Sequence, residues 1–148
     1  MEQLNFPNYS FTLKSRENKV YIFDLIRKKN VLLSPEEWVR QHCVHFLINE
    51  LGYPKSLINL EKQLFINGRA KRYDLVVYSN DGNVEILVEC KAPSIKISQN
   101  TFDQIARYNL TLNSRFLMLT NGKEHYFCEI DFKNKAYRFI RKLPKYQI

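Results

Sequence analysis

Apolar and polar positions along the chain follow two periods, one typical of helices and the other of strands. The segment "SPEEWVRQHCVHFLINELGYP" predicts a helix, because Val44, Leu47, Ile48 and Leu51 repeat at the i, i+3, i+4, i+7 spacing of a core-facing stripe. Residues that favour the start and the end of a helix flank this stripe. We therefore expect one amphipathic helix here, packed against a core.

Capping residues set the limits of this helix. Ser34 suits the N-cap, Pro35 suits the first helical position, and Glu37 completes a capping box with Ser34. Gly52 and Pro54 predict the stop, because glycine favours the left-handed turn after a helix and proline cannot continue one.

The other apolar segments predict strands and a second helix. In chain order they are two short strands around a basic turn at Arg27 to Asn30 in "KVYIFDLIRKKNVLLS", a strand ending at the Asn67-Gly68 turn in "LINLEKQLFING", "RYDLVVYS" and "NVEILVEC" joined through Asp81-Gly82, a helix in "SQNTFDQIARYNLTLN", a strand pair around Asn121-Gly122, and a last strand in "KAYRFIRKLP". Strands mixed with two helices on one core predict an α/β fold or an α+β sandwich.

Length and cysteine content narrow the class of protein. The 148 residues suffice for one domain, and we expect a single domain over residues 1–148. No apolar run is long enough to span a membrane, and the start lacks the basic and apolar pattern of a secretory signal. Three cysteines, an odd number standing far apart, predict reduced thiols in a cytoplasmic protein.

The charge balance adds a candidate partner. The chain has 23 Lys and Arg against 15 Asp and Glu, a formal net charge of +8. This excess favours a polyanionic partner, most simply nucleic acid. The alternative is a soluble basic surface with no specific partner.

The stretch "VECKAP" places charge at the end of a strand that otherwise enters a core. Side chains alternate along a strand, so Glu89 and Lys91 point the same way and Cys90 points to the opposite face. Because an unpaired buried charge is costly, this arrangement needs a partner or a purpose.

The hairpin between the two apolar strands predicts that partner. If Asp81 and Gly82 are the two turn residues, every facing pair is fixed. The predicted pairs are Asn80 with Asn83, Tyr78 with Glu85, Val76 with Leu87, and Asp74 with Glu89. Asp74, Glu89 and Lys91 should then converge at one end of the hairpin, unless a bulge breaks the register.

Two facing carboxylates repel each other unless a cation lies between them. Their oxygens suit Mg²⁺ or Mn²⁺, which would keep waters and take a substrate phosphate as a further ligand. Lys91 would orient the attacking water or stabilise charge developing on the phosphate. These groups suffice for metal-assisted hydrolysis of a phosphodiester. The alternative is a surface salt bridge between Glu89 and Lys91, which contributes little.

The same residues carry a family resemblance. Asp74 followed by Glu89-Cys90-Lys91 resembles the D-x(n)-E-x-K signature of the PD-(D/E)XK nuclease superfamily, with Tyr73 where a proline often stands. "QIARY" resembles a Q-x-x-x-Y element of that superfamily. Together, "SPEEWVRQH", "KRYDLVVY", "VECKAP", "FDQIARYN" and "LTNGKEHY" resemble the N-terminal nuclease domain of type I restriction enzyme R subunits, over roughly residues 20–140.

The resemblance implies a fold, an activity and a set of site residues. The fold would be a restriction-endonuclease-like α/β/α core with a mixed central sheet flanked by helices. The activity would be Mg²⁺-dependent DNA cleavage that leaves a 5′-phosphate. The implied residues are Asp74 and Glu89 as metal ligands with the Cys90 carbonyl, Lys91 as the catalytic lysine, and Gln104 and Tyr108 as supports that contact DNA.

Other residues are weaker candidates. Glu61 could add a carboxylate to the metal from a neighbouring strand, although such a glutamate is more often solvated. Glu36 could approach from the helix start, but its favourable placement in the first turn explains it equally well. Thr101 with Gln104 could instead form a capping box. His42 and His45 are three residues apart with no third ligand nearby, and His125 is isolated, so we do not expect a zinc site. Candidate phosphate contacts flank the motifs at Lys71, Arg72, Lys96 and Arg107.

The sequence therefore predicts a metal-dependent DNA endonuclease domain of the restriction type. One alternative is a DNA-binding or assembly module that keeps the fold without cutting, and another is a resolvase or repair nuclease with the same site. The chain has no P-loop, so we expect either a stand-alone protein or a partner of translocase and modification subunits. A homodimer is possible, because double-strand cutting by one active site needs two copies or two visits.

Overall fold

A six-stranded mixed sheet with one helix on each face forms the centre of the protein. The structure is a computed structural model that describes residues 1–66, 68–109 and 113–148, without the side chains of residues 66 and 108. The helices described are α1 (Pro35–Asn49) and α2 (Gln99–Asn109), with a short 3-10 turn at Lys55–Leu57. None of the helices in these ranges is long and apolar enough to cross a membrane.

The strands form two sheets. Their bounds are β1 Leu13–Arg16, β2 Lys19–Asp24, β3 Lys29–Leu32, β4 Ile58–Ile66, β5 Arg69–Tyr78, β6 Val84–Cys90, β7 Phe116–Thr120, β8 His125–Asp131 and β9 Ala136–Ile140. Strands β1 to β3 form a small antiparallel sheet, and β4 to β9 lie in chain order in the large sheet. Only the β6–β7 pair is parallel among these, because α2 crosses between the two strands. The predicted α/β class is confirmed.

Two cores cover the faces of the large sheet. On the α1 side, Val44 and Leu47 pack with Leu75 and Val88. On the α2 side, the residues that pack together are Phe102, Ala106, Val76, Leu87 and Leu117. Strands β5 to β7 are therefore buried on both faces, as is typical of the centre of such sheets.

The start of α1 differs from the predicted capping box. The Ser34 hydroxyl accepts the Glu37 N–H at 3.0 Å, so the N-cap is confirmed. The carboxylate of Glu37 is used elsewhere, because it accepts hydrogen bonds from Arg27 and Arg40. The reciprocal half of the predicted box is therefore wrong, and Glu37 serves the interior instead.

Helix α2 begins three residues earlier than the alternative cap requires. The Ser98 hydroxyl accepts the Thr101 N–H at 3.1 Å, which makes Ser98 the N-cap. A capping box between Thr101 and Gln104 is therefore wrong. Residues 110–112 of the predicted helix, and Asn67 of the predicted turn, lie outside the described residues.

The turn between β2 and β3 lies two residues earlier along the chain than predicted. Asp24 Oδ1 accepts the N–H groups of Ile26 and Arg27 at 2.7 and 2.9 Å, so the chain turns immediately after β2. Lys29 already belongs to β3, whereas the sequence places it in the turn with Asn30. Strand β1 has no counterpart among the predicted strands.

The β5–β6 hairpin keeps the predicted register near the site but differs at its turn. Val76 faces Leu87, as predicted. The turn is different, because the Ser79 N–H donates to the Asn83 carbonyl at 2.8 Å and leaves three loop residues, 80–82. The predicted pairing of Asn80 with Asn83 is therefore wrong.

A bulge in β6 compensates for the longer turn. Tyr78 faces Val84 while Val77 faces Ile86, so Glu85 is the extra residue and its predicted pairing with Tyr78 is wrong. Gly82, at φ 87°, supplies the left-handed residue that ends a three-residue hairpin loop. The longer loop and the bulge each shift the register by one residue, in opposite directions. The pairs farther from the turn therefore follow the prediction.

The β7–β8 turn anchors the N-terminal segment. The Asn5 N–H donates to the Gly122 carbonyl at 2.8 Å. A Cβ atom added to Gly122 would lie 2.9 Å from Leu4 Cδ2 and 3.1 Å from Val39 Cγ2. The absence of a side chain at Gly122 thus allows the segment to pack against α1.

Gly122→Ala is expected to destabilise the protein more than Gly82→Ala. Both glycines have a φ of 87°, so each substitution costs about 1–2 kcal/mol for a left-handed alanine. No atom lies within 4 Å of a Cβ at Gly82, so overpacking adds about 1–3 kcal/mol only at Gly122. Urea unfolding of both variants measures the difference, and equal losses would contradict the packing of Leu4.

Candidate active site

Asp74 of β5 lies beside the end of β6, where Glu89 and Lys91 are found. Leu75 faces Val88, and this is the last pair of the two strands before Asp74 and Glu89. The two carboxyl groups are close enough for the charge of Asp74 to raise the pKa of Glu89. Asp74 Oδ2 accepts the backbone N–H of Cys90 at 2.7 Å. The structure thus brings the two predicted carboxylates together.

The alternation of β5 is interrupted at Asp74. Tyr73 belongs to the core on the α2 side, whereas Leu75 belongs to the core on the α1 side. In a regular strand these two residues would share a face. The β4 residue at the matching position is Glu61, whose φ of 50° is unusual for a strand. This irregularity accompanies the turn of the Asp74 carboxylate towards α1.

Arg40 of α1 receives that carboxylate. Its Nη2 donates to Asp74 Oδ1 at 2.9 Å, and its Nη1 donates to Glu37 Oε1 at 2.8 Å. The Arg40 side chain is only 9% exposed. Burial lowers the pKa of Arg40, but the charges of Glu37 and Asp74 raise it by a larger amount. The net pKa is above the ordinary value, so the guanidinium stays charged.

Further ion pairs connect Arg40 and Glu37 to the small sheet. Arg27 donates from Nη2 to Glu37 Oε1 at 3.0 Å and from Nε to Asp24 Oδ2 at 2.6 Å. Gln41 also donates to Asp24, at 3.0 Å. Burial raises the pKa of Asp24, but hydrogen bonds from Arg27, Gln41 and the Ile26 N–H lower it below its ordinary value. A charged network therefore joins the small sheet, α1 and Asp74.

Sequence reasoning did not find this network. Glu37, Arg40 and Gln41 are all buried, although such residues are usually exposed on a helix. Their signal in the sequence is the spacing of Glu37 and Arg40, three residues apart on one helix face, which suits an ion pair. The spacing alone does not separate a buried pair from a surface pair.

Glu89 is the less compensated carboxylate of the pair. Its side chain is 13% exposed, and an ion pair joins its Oε1 to Lys71 Nζ at 3.9 Å. Oε1 is buried and accepts no hydrogen bond from the described residues. Burial, with the charge of Asp74, raises the pKa of Glu89 to about 8. In the absence of a cation, Glu89 therefore keeps its proton at neutral pH.

Lys91 follows Glu89 on the same side of the chain. Its N–H donates to the Thr120 carbonyl at 2.8 Å and so extends the β6–β7 pairing past the end of β6. Within the described ranges no carboxylate forms an ion pair with its ammonium group. Cys90 points the other way, with its Sγ 3.8 Å from Cys43 Sγ in the α1-side core. The predicted alternation is confirmed.

The other predicted carboxylates approach the arginines. Glu61 Oε2 lies 3.2 Å from Arg27 Nη1, and Glu36 Oε1 lies 3.5 Å from Arg40 Nη2. Their side chains are 40% and 47% exposed. No group of three His, Cys, Asp or Glu side chains arranged to hold a metal ion occurs among the residues that the structure describes. Asp74 and Glu89 thus form a pair to which backbone or solvent must add ligands.

The predicted DNA contacts divide into two groups. Lys71 contacts the site directly, through Glu89 and over the Tyr73 ring at 4.8 Å. The remaining predicted cations are exposed, at Arg72, Lys96 and Arg107.

Helix α2 carries the last two predicted site residues. Gln104 is exposed, while Phe102 and Ala106 face the sheet. No hydrogen bond joins Gln104 to Asp74, Glu89 or Lys91 among the contacts of the described residues. The side chain of Tyr108 lies outside them, so the roles of Gln104 and Tyr108 stay predictions.

Glu89→Gln is expected to stabilise the metal-free protein at alkaline pH. Between the ordinary pKa of 4.5 and the folded value of about 8, the folded state holds a proton that the unfolded state has lost. Stability therefore falls as pH rises through this window, and the penalty is complete above it. Glutamine mimics the protonated acid, so the variant should gain at least about 1 kcal/mol above the window and nothing below it.

Urea unfolding in a chelator at both ends of the window measures this gain. The exposed Glu17→Gln serves as the matched control and should show the same stability difference at both pH values. A Glu89→Gln variant whose gain does not depend on pH would contradict the burial of this carboxyl group.

Comparison with known proteins gives a family. Residues 35–144 match the family described as type I restriction enzyme R protein N terminus. None of the curated proteins matches the chain. A solved fragment of a putative HsdR subunit of a type I restriction enzyme from Vibrio vulnificus YJ016 is 22% identical, with a TM-score of 0.45. The alignment covers 69% of this chain and 22% of that chain. Because the family match runs from α1 past β9, this chain belongs to the type I restriction enzyme R protein N-terminal family.

Proposed function

We propose that this chain is a metal-dependent DNA endonuclease module of the PD-(D/E)XK type. The observation that carries the proposal is the meeting of Asp74 and Glu89 at one end of the β5–β6 hairpin, with Lys91 two residues beyond Glu89. Membership of a family of restriction enzyme R proteins supports DNA as the substrate.

The donor set fits a hard divalent cation. Glu89 Oε1 is a buried oxygen without a hydrogen bond from the described residues, and Asp74 lies close enough to raise the pKa of Glu89. Asp74, Glu89 and the Cys90 carbonyl would hold Mg²⁺ or Mn²⁺, and Glu61 would join them if it released Arg27. When bound, the ion would polarise the phosphate and lower the pKa of a coordinated water.

The protein's own groups would position the cation and the attacking water and would neutralise charge on the phosphate. Asp74 is fixed at both oxygens, by Arg40 and by the Cys90 N–H, and each oxygen has a further lone pair to offer. Lys91 would orient the attacking water or stabilise the charge that develops on the phosphate. Glu89 would release its proton when a cation occupies the pair, because opposite charge favours the ionised form.

Exposed cations support binding of the DNA backbone. Arg72, Lys96 and Arg107 are exposed, and the formal net charge of the chain is +8. Gln104 and Tyr108 would add polar contacts. We expect translocase and modification subunits of a restriction system as partners. We expect the protein to act in the cytoplasm. A second copy or a second visit would complete a double-strand break.

One observation favours a module that binds DNA without cutting. Both oxygens of Asp74 already accept hydrogen bonds, and the raised pKa of Glu89 favours its neutral form, so the charge of the resting pair is neutralised without a metal. A resolvase or repair nuclease would use the same residues as a restriction nuclease. A cleavage assay distinguishes the nuclease from the non-cutting module. A comparison of plasmid and branched DNA as substrates distinguishes the restriction nuclease from a resolvase or repair nuclease.

Lys91→Ala is expected to lower cleavage by about 100-fold or more, the usual cost of removing one group that stabilises transition-state charge. Nicking of a supercoiled plasmid with Mg²⁺ or Mn²⁺ gives the rate, alongside a branched duplex as competing substrate. Fluorescence anisotropy with a labelled duplex should show unchanged binding, because a single phosphate contact contributes little.

Lys142→Ala removes an exposed lysine from the C-terminal segment and should leave the rate unchanged. Equal cleavage by the Lys91→Ala variant and the native chain would disprove the assignment of Lys91. Binding without any cleavage by the native chain would support the non-cutting module.

A further inference from the structure

The small β1–β3 sheet has one face packed inward and one face open. Ile22 and Asp24 of β2 are fully buried. Side chains alternate along a strand, so Lys19 and Tyr21 belong to the other face. Phe23 and Leu32 share this outer face. Its polar part is called the basic face and consists of Lys14, Arg16, Lys19, Tyr21 and Asn30. It lies outside residues 35–144, the part of the chain that the family match covers.

The charges on the basic face oppose the stability of the sheet. Arg16 and Lys19 are directly facing residues of β1 and β2, and like charges in such a pair are destabilising. Among the described residues no carboxylate lies within 4 Å of the charged groups of Lys14, Arg16 or Lys19. An anionic partner would remove this repulsion, whereas folding alone would favour opposite charges.

The basic face also has a shape that suits a phosphate. Lys14, Arg16, Tyr21 and Asn30 line a shallow depression of about 230 Å³, with Glu17 of the β1–β2 turn at its border. Two cations and an amide can bind phosphate oxygens, and the tyrosine can pack against a sugar. The single carboxylate leaves the depression with an excess of positive charge.

The basic face connects to the candidate active site through the β2–β3 turn. Arg27 in this turn contacts Glu37 and Glu61, and Glu61 is at the β4 position that matches Asp74 of β5. Strand β2 has six residues, so its far end lies about 17 Å from this turn. That length corresponds to about five base pairs of duplex DNA.

We propose that the basic face is a second contact surface for the phosphate backbone of duplex DNA. The inference rests on the proposed function, and it extends the DNA footprint beyond the residues around the metal site. The face would contact the duplex along a length of up to about five base pairs. It would contribute affinity without reading sequence, because its groups suit phosphate and sugar.

The test compares two triple variants of the full chain in a chelator, so that no cleavage occurs. One removes the basic face by Lys14→Ala, Arg16→Ala and Lys19→Ala. The other, Lys133→Ala, Lys135→Ala and Lys142→Ala, removes the same charge from exposed positions at the β8–β9 turn and the C-terminal segment. Fluorescence anisotropy with a labelled 20-base-pair duplex gives the affinity at several salt concentrations.

The basic-face variant should bind the duplex about tenfold or more weakly at low salt. The slope of log affinity against log salt should also fall by about 0.9 for each phosphate group that the variant no longer neutralises. The control variant should bind almost as tightly as the native chain. Thermal unfolding should show no loss of stability in the basic-face variant, because a repulsive pair has been removed.

Equal weakening in both triple variants would overturn the proposal, because net charge would then explain it. Unchanged duplex binding, or a loss confined to single-stranded DNA, would also overturn it. The nuclease assignment is judged separately by the Lys91→Ala cleavage assay. A weakened basic-face variant of a chain that never cuts would uphold this surface and refute the nuclease.

Discussion

The ion pair between Arg40 and Asp74 joins the parts of the molecule that build the candidate site. Asp74 lies in the central sheet, Arg40 lies in α1, and Glu37 links Arg40 to Arg27 of the small sheet. These charges lie in a mostly buried layer, where each needs a partner to offset its lost hydration. Removing one partner of such a pair costs about 3–5 kcal/mol. The position of Asp74 therefore depends on contacts from three separate elements.

The same network makes the two candidate ligands unequal. Asp74 has a cation and a backbone N–H at its two oxygens, whereas Glu89 has a more distant lysine and a buried oxygen without a hydrogen bond from the described residues. Burial and the neighbouring charge hold the proton on Glu89. A cation placed between them would relieve this imbalance. The site is thus preorganised at Asp74 and remains to be completed at Glu89.

Much of the fold follows from local patterns, and the errors have definite physical causes. The stripe of α1 faces the core as predicted, and the apolar runs of β5 to β7 form the predicted strands. The predicted hairpin turn is wrong because the loop is one residue longer and a bulge at Glu85 compensates for it. No residue pattern in the sequence indicates either feature. Strand β1 is missed because all four of its residues are exposed and show no alternation.

The site is predictable in its carboxylates but not in its support. A count from the turn anticipates the pairs from Val77 and Ile86 to Leu75 and Val88, and Asp74 and Glu89 are the next residues of the two strands. Arg40 is not anticipated, because an arginine beside a glutamate on a helix usually lies at the surface. Likewise, the break in alternation between Tyr73 and Leu75 depends on tertiary packing rather than on local propensity.

A calorimetric titration of Mn²⁺ into the native chain and into Glu89→Gln tests the central claim most directly. It is run with and without a short duplex, since phosphate would supply a further ligand. The account predicts binding by the native chain, with or without the duplex, and a loss of that binding in the variant. Absence of Mn²⁺ binding by the native chain even with the duplex, or equal binding by the variant, would contradict it.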